Sequence, residues 1–315
     1  MRKATNNFSP SLEIRNNGSS RCYKGILDDG SEVVVMVYSD RSIDFTSMIR
    51  IMSDLRHKNV VELIGYCIED DHRILVHEFV GGYNLYELLK SEDVVLDWCS
   101  RVSICHGIAY GLEYLHNAIS PCVVHGDVNP RKILMDCSLN PKIAYFGDQS
   151  DYSCSEVTVC CTLGYMDPEL CLTGRYSEKT DVYAFGITLL VIVNGAQNPV
   201  FLRGNGRTNL VDWAWELRES GRIAEIIDKR LLSEFSEDQL TRLVNVALSC
   251  VQLPSDRRPS MSDVRRMLSD SYDYSHMVVT TPNISAHLGS PLLWSSNDDQ
   301  LLVSLLNLNS LCSPH

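Results

Sequence analysis

Hydrophobic periodicity changes character once along this chain, and that change limits the folds open to it. From Cys22 to about Val80 the apolar residues alternate or cluster in short valine-rich runs, the signature of strands. Cys22–Leu27 leads through Asp28-Asp29-Gly30, a hairpin signal, into Glu32–Tyr38. Two further strands are expected over Val60–Cys67 and Ile74–Phe79, on either side of the polar turn Glu69-Asp70-Asp71-His72. The helical stretch in this half is Ile43–Leu55, where Phe45, Met48, Ile49 and Met52 recur at helical spacing. From about Asn84 onward helices dominate, over Arg101–His116, Asp181–Val193, Leu210–Ser220 and Leu240–Val251. The expected fold class is α+β and two-lobed, with a small β-rich lobe carrying one long helix and a larger, mostly helical lobe.

Past Leu268 the chain turns rich in Ser, Thr, Asn, Pro and Asp, and residues 269–315 read as a flexible tail. Within it, Leu301-Leu302-Val303-Ser304-Leu305-Leu306 is an apolar segment long enough for a short docking helix. The longest apolar run, Ala184–Val193, is too short to span a bilayer and reads as a buried helix. A net charge of −12 argues against binding nucleic acid or an anionic membrane through overall charge. The 12 cysteines form no CxxC pair and no zinc-site spacing, which points to a reducing compartment. Met1-Arg2-Lys3 is followed by polar residues rather than a secretory signal, and no lipidation motif is present. A cytoplasmic location is expected, with membrane association only through partners.

Phosphoryl transfer from ATP needs a glycine loop over the phosphates, a strand lysine held by a helix glutamate, and oxygen ligands for Mg²⁺. It also needs an aspartate to orient the attacking hydroxyl. From about Asn7 to Leu268 this chain resembles a protein kinase, and within that superfamily the cytoplasmic domains of plant receptor-like kinases. The resemblance rests on Ala4-Thr5-Asn6-Asn7-Phe8-Ser9, Leu63-Ile64-Gly65-Tyr66-Cys67, Leu96-Asp97-Trp98 with Arg101, and Gly111-Leu112-Glu113-Tyr114-Leu115-His116. Gly164-Tyr165-Met166-Asp167-Pro168-Glu169 and Asp181-Val182-Tyr183-Ala184-Phe185-Gly186 extend it in the same order. It implies a small lobe over about 7–80 and a large lobe over about 81–268, preceded by an extension, 1–6.

The residues that would do the chemistry depart from the family pattern. Arg15, Asn17 and Ser20 fall where the three loop glycines belong, so side chains obstruct a close approach of backbone to phosphate. Met36 falls at the phosphate-gripping lysine and Met48 at its glutamate partner. Losing one partner would leave a buried unpaired charge, whereas replacing both with packing residues is neutral or stabilising. Val34, at the family's alanine beside adenine, narrows the pocket. In Val124-His125-Gly126-Asp127-Val128-Asn129-Pro130-Arg131-Lys132, Asp127 keeps the catalytic aspartate's position and His125 the structural histidine's. Gly126 replaces the arginine, Asn129 the lysine, and Lys132 the magnesium-binding asparagine, while Tyr145 stands at the magnesium aspartate. A cation and a phenol supply none of the hard oxygen ligands that Mg²⁺ requires.

The scaffold residues remain. The resemblance pairs Glu169 with Arg258 and assigns Asp181, His125, Phe146 and Met52 to the internal spine. Phosphorylation of Ser150, Ser153, Ser155, Thr158 or Thr162 would add charge, but the docking arginine is replaced by Gly126. Chemistry lost on a kept scaffold is the pattern of a pseudokinase. The expected function is a signalling adaptor, scaffold or decoy for active receptor-like kinases or immune receptors, with Asp127 vestigial. No cofactor is expected, weak ATP binding and no Mg²⁺ at most, and no nucleic acid or direct membrane anchor. The alternatives are a weak Ser/Thr kinase using Asp127, or a nucleotide-sensing switch without catalysis.

Overall fold

The structure, a computed structural model, describes residues 1–16, 20–39, 45–69, 72–117, 122–144, 162, 164–203, 206–231 and 235–272. A five-stranded antiparallel sheet forms the small lobe, in the order β1-β2-β3-β5-β4. Its strands are β1 (Glu13–Asn16), β2 (Ser20–Ile26), β3 (Glu32–Tyr38), β4 (Leu63–Glu69) and β5 (His72–Glu78). The β2–β3 hairpin turns where the sequence signals it. Gly30 adopts φ +87°, a left-handed value that glycine takes without steric cost, and the Ser31 amide donates to Asp29 Oδ1. Central β3 is valine-rich because both of its faces are covered.

One face of the sheet packs on α1 (Phe45–Ser53), which turns Phe45, Met48, Ile49 and Met52 inward at i, i+3, i+4 and i+7. The helix closes earlier than the apolar spacing suggested, with the Leu55 amide donating to the Met52 carbonyl in a tighter turn. The other face carries a separate cluster of Tyr23, Val33, Val35, Ile74 and Val76, covered by Phe8. Residues expected to lie in an extension join this lobe: Ala4 O accepts from the Ile26 amide, and Thr5 is fully buried.

The large lobe is built on α2 (Leu85–Lys90), α3 (Trp98–Asn117), α4 (Pro168–Thr173), α5 (Glu178–Asn194), α6 (Leu210–Glu219), α7 (Glu237–Cys250) and α8 (Met261–Met267). From Thr180 to Val193 α5 is buried on every side, including the run Ala184–Val193 expected to be buried. A short sheet of Tyr83–Asn84 (β6), Ile133–Met135 (β7) and Pro141–Ile143 (β8) lines the top of the lobe. The segment after α1 stitches the lobes together: the Val61 amide donates to Ile143 O and the Ile143 amide to Asn59 O. One continuous core runs from Met36 and Met48 down through α3 and α5. Among the described residues no helix is long and apolar enough to cross a membrane. Tyr145, Phe146, Asn17 and the Leu301–Leu306 segment lie outside the described residues.

Candidate functional site

The cleft between the lobes is roofed by β3 and β5 and floored by β7. In the β3–β5 register Val34 lies opposite His77 and Met36 opposite Leu75. Val34, Met36, Tyr38, Met52, Val61, His77, Glu78, Leu134 and Ala144 line the cleft, with no lysine or arginine among them. About 430 Å³ of empty space lies between these walls, counting what opens to solvent. Met36 and Met48 are 5% and 4% exposed and belong to the same apolar cluster. Burial, the largest cause, lowers the His77 imidazole to about 4, so it adds no positive charge at neutral pH. Arg15 is exposed on β1, where it pairs in register with Cys22, and Ser20 is buried at the start of β2.

Below the cleft, Asp181 at the start of α5 organises the loop that carries Asp127. Fully buried, Asp181 accepts from the His125 and Gly126 amides, both at 2.7 Å, and its Oδ2 lies 2.9 Å from His116 Nε2. His125 Nδ1 accepts from the Asp127 amide at 3.1 Å, and Nε2 faces the Ala144 carbonyl at 3.1 Å. That arrangement requires the neutral Nε2–H tautomer, in keeping with burial lowering the affinity of this imidazole for a proton. Gly126 sits at φ +79°, where any other L-residue is strained by about 1–2 kcal/mol.

Asp127 is held by internal partners at both oxygens. Its Oδ1 accepts from the Thr162 amide (3.0 Å), Thr162 Oγ1 (2.8 Å) and Asn129 Nδ2 (3.0 Å). Its Oδ2 faces Lys132 Nζ at 3.5 Å. The lysine and asparagine of the family pattern have thus exchanged places around Asp127, and the ammonium at position 132 stands where a metal ligand is expected. The contacts to Oδ1 tie the catalytic-loop segment to Thr162. Met36 offers no cation for a phosphate, and Lys132 offers no oxygen for a metal ion.

One expected pairing is corrected. Arg258 does not pair with Glu169; its guanidinium clasps Asp167 through Nη1–Oδ2 (2.6 Å) and Nη2–Oδ1 (2.8 Å), with both residues buried. Arg258 also donates to Gln252 O and Lys179 O. Glu169 instead accepts from the Ser255 amide at 2.8 Å. Asp167 is the N-cap of α4 and points inward, whereas Glu169, one turn position on, faces the 255 loop. Both carboxylates lie within Asp-Pro-Glu, so sequence position alone could not choose between them. Thr162 as a partner of Asp127 and His77 as a cleft wall were also missed. The first came into view only as a phosphorylation candidate, the second only as one residue of a strand.

Residues 21–268 match the family model described as protein tyrosine and serine/threonine kinase. Among similar curated proteins of Arabidopsis thaliana, a probable LRR receptor-like serine/threonine-protein kinase is 35% identical over 296 residues, 91% of this chain. Cysteine-rich receptor-like protein kinase 10 is 35% identical over 283 residues, 85% of this chain. The chain spans 29% and 42% of the lengths of these two relatives. Among solved structures, the pseudokinase domain of BIR2, an immune regulator of the RLK/Pelle family, superposes with a TM-score of 0.71 at 30% identity, covering 87% of each chain. With a kinase-like α+β fold, a small sheet lobe and a helical lobe, this chain belongs to the protein tyrosine and serine/threonine kinase family, and its homologues include plant receptor-like kinases.

Proposed function

We propose that this protein performs no standard phosphoryl transfer and works as a signalling adaptor, scaffold or decoy for active receptor-like kinases or immune receptors. The observation that carries this reading is the pair Met36 and Met48, buried in one apolar cluster where an ion pair would hold phosphate. Losing both halves together leaves the lobe well packed, so the scaffold is kept while the chemistry is lost. The engaged carboxylate of Asp127 and the ammonium of Lys132 point the same way. No nucleotide or Mg²⁺ is needed in this reading, and the partner engages the outer surface of the kinase fold. The protein acts in the cytoplasm and reaches membranes through that partner.

Thermal unfolding with millimolar ATP, in Mg²⁺ or in EDTA, tests the reading. A ligand at about 100 times its Kd adds roughly 2.7 kcal/mol, a shift of several degrees. The expected shift is below one degree in either buffer; a clear magnesium-dependent rise would overturn the reading. Radiolabel transfer abolished by Asp127→Asn would assign a weak kinase instead.

A further inference from the structure

One polar atom in the wall of the cleft is buried with nothing to bond. Among the described residues His77 Nδ1 has no hydrogen-bond partner, and the side chain as a whole is only 9% exposed. His77 lies beside Val34 in the roof and shares the cleft wall with Met36, Met52, Leu134 and Ala144. The other ring nitrogen is already engaged. The Glu62 backbone is hydrogen-bonded to this imidazole and raises its affinity for a proton, as a carbonyl acceptor does. With Nδ1 unbonded, Nε2–H makes that contact, and Nδ1 is left as a bare acceptor lone pair. Burial, the larger cause, lowers the imidazole to about 4, so at neutral pH no proton fills that lone pair. A buried acceptor without a donor is costly, and its complement is an N–H or O–H brought from outside.

The rest of the wall restricts the ligand further. Glu78 is the one charged residue that lines it, and its Oε1 already accepts from Lys142 Nζ (2.7 Å) and the Glu62 amide (2.9 Å). An anion therefore finds no unpaired cation in this wall, and a cation no unpaired carboxylate. Val34 in the roof and Leu134 in the floor offer apolar faces on either side of the space. The thioethers of Met36 and Met52 are unbranched, adapt to a ligand's outline and make favourable contacts with aromatic rings. The 430 Å³ between the walls, counting what opens to solvent, falls at the small end of the range of ligand pockets. We propose that the cleft binds an uncharged, flat aromatic molecule of one or two rings that donates a single N–H or O–H to His77 Nδ1. Such a ligand carries no phosphate and needs no metal, so the site goes beyond the adaptor reading. It would touch Met36 on β3 and Met52 on α1 together, bracing the helix against the sheet.

Water is the weaker partner for this lone pair. A buried water is held by about two to four polar groups, and the side chains lining the cleft offer His77, the Tyr38 hydroxyl and a Glu78 that is already engaged. A nucleotide brings a donor on its base but also phosphates, for which this wall places no cation.

Indole and benzofuran test this on the full chain, because they share a shape and differ in one ring atom, an N–H donor against an oxygen acceptor. Titration at pH 7, followed by ligand-observed NMR and by thermal unfolding, is expected to give indole a Kd at least about tenfold below that of benzofuran. His77→Leu, which puts an apolar side chain in place of the imidazole, is expected to erase that preference while both probes still bind. In protein carrying isotope-labelled histidine, the His77 Nδ1 resonance is expected to shift with indole and to stay with benzofuran, a readout that needs no variant. Equal affinity for the two probes, or a preference that survives His77→Leu, would overturn the proposal. Binding of neither would do the same, leaving Nδ1 to water alone. ATP in EDTA raising the melting temperature as much as indole would overturn the need for an uncharged ligand, and the nucleotide-free reading with it. Failure of indole with ATP also inert would overturn this inference and leave that reading standing.

Discussion

Replacing Met36 with lysine restores the residue type that the family pattern calls for, and in this fold the restoration should be damaging. Met36 is 5% exposed, and the glutamate that would meet a lysine here is Met48, itself buried. The nearest carboxylate lining the cleft, Glu78, is already engaged by Lys142 at 2.7 Å and by the Glu62 amide. His77, on the same cleft wall, reports what the site imposes on a cation: burial takes its imidazole from 6.5 to about 4. That depression corresponds to about 3 kcal/mol against positive charge. Breaking a buried pair by omitting one partner costs about 3–5 kcal/mol in other proteins, which agrees. For a fold of this size the melting temperature should fall by on the order of 10 °C, read by calorimetry at pH 7.

The sign of the pH dependence is a second readout. A lysine whose folded pKa is depressed binds fewer protons in the native state than in the unfolded one. The deficit is therefore full at neutral pH and shrinks as pH rises toward the unfolded value of about 10.4. Met36→Leu should lose little at any pH. Adding Met48→Glu to Met36→Lys should recover most of the loss. An unchanged melting temperature in Met36→Lys, or a deficit that does not shrink in alkali, would refute the packing argument.

Other consequences follow from the buried polar contacts. Asp167→Ala should destabilise by about 3–5 kcal/mol because it strands the buried Arg258, whereas Glu169→Ala loses one hydrogen bond and about 1 kcal/mol; urea titration ranks the two. Gly126→Ala should cost about 1–2 kcal/mol through its left-handed backbone, with secondary structure by circular dichroism unchanged. Burial pulls Asp228 upward, but hydrogen bonds from Arg230 and Arg101 outweigh it and hold the carboxyl at about 2. Its contribution to stability is present above about pH 4 and lost as pH falls toward 2, so Asp228→Asn should be less stable at pH 7 and show a shallower acid slope.

Much of the fold could be read from the chain itself because strands and helices write their periods locally. The hairpin at Asp28-Asp29-Gly30, the buried apolar run of α5 and the inward face of α1 all follow from residues within one turn or one strand of each other. The ends of the helices were less legible: α7 begins at Glu237 rather than Leu240, because the Ser236 cap and the acidic first turn hold polar residues that no apolar pattern marks. The chemistry-bearing positions, Met36, Met48, Asp127 and Lys132, were found by motif order.

Partner choice was a different matter. That Asp127 is held by Thr162, that Arg258 takes Asp167, and that His77 lies beside Val34 in the roof of the cleft are facts about residues far apart in the chain. Each depends on ångström differences in where separate elements come to rest. The exposed face of β4 is of the same kind, since its sequence alternates like a buried strand and only the reach of α1 leaves it open. By itself, then, the sequence determined the element types, their order and the missing chemical groups, because these are carried by residue identity and local spacing. The tertiary structure decided which buried charges are neutralised and by whom, which residues line the cleft, and which apolar surface faces water, because those follow from distances that only packing sets.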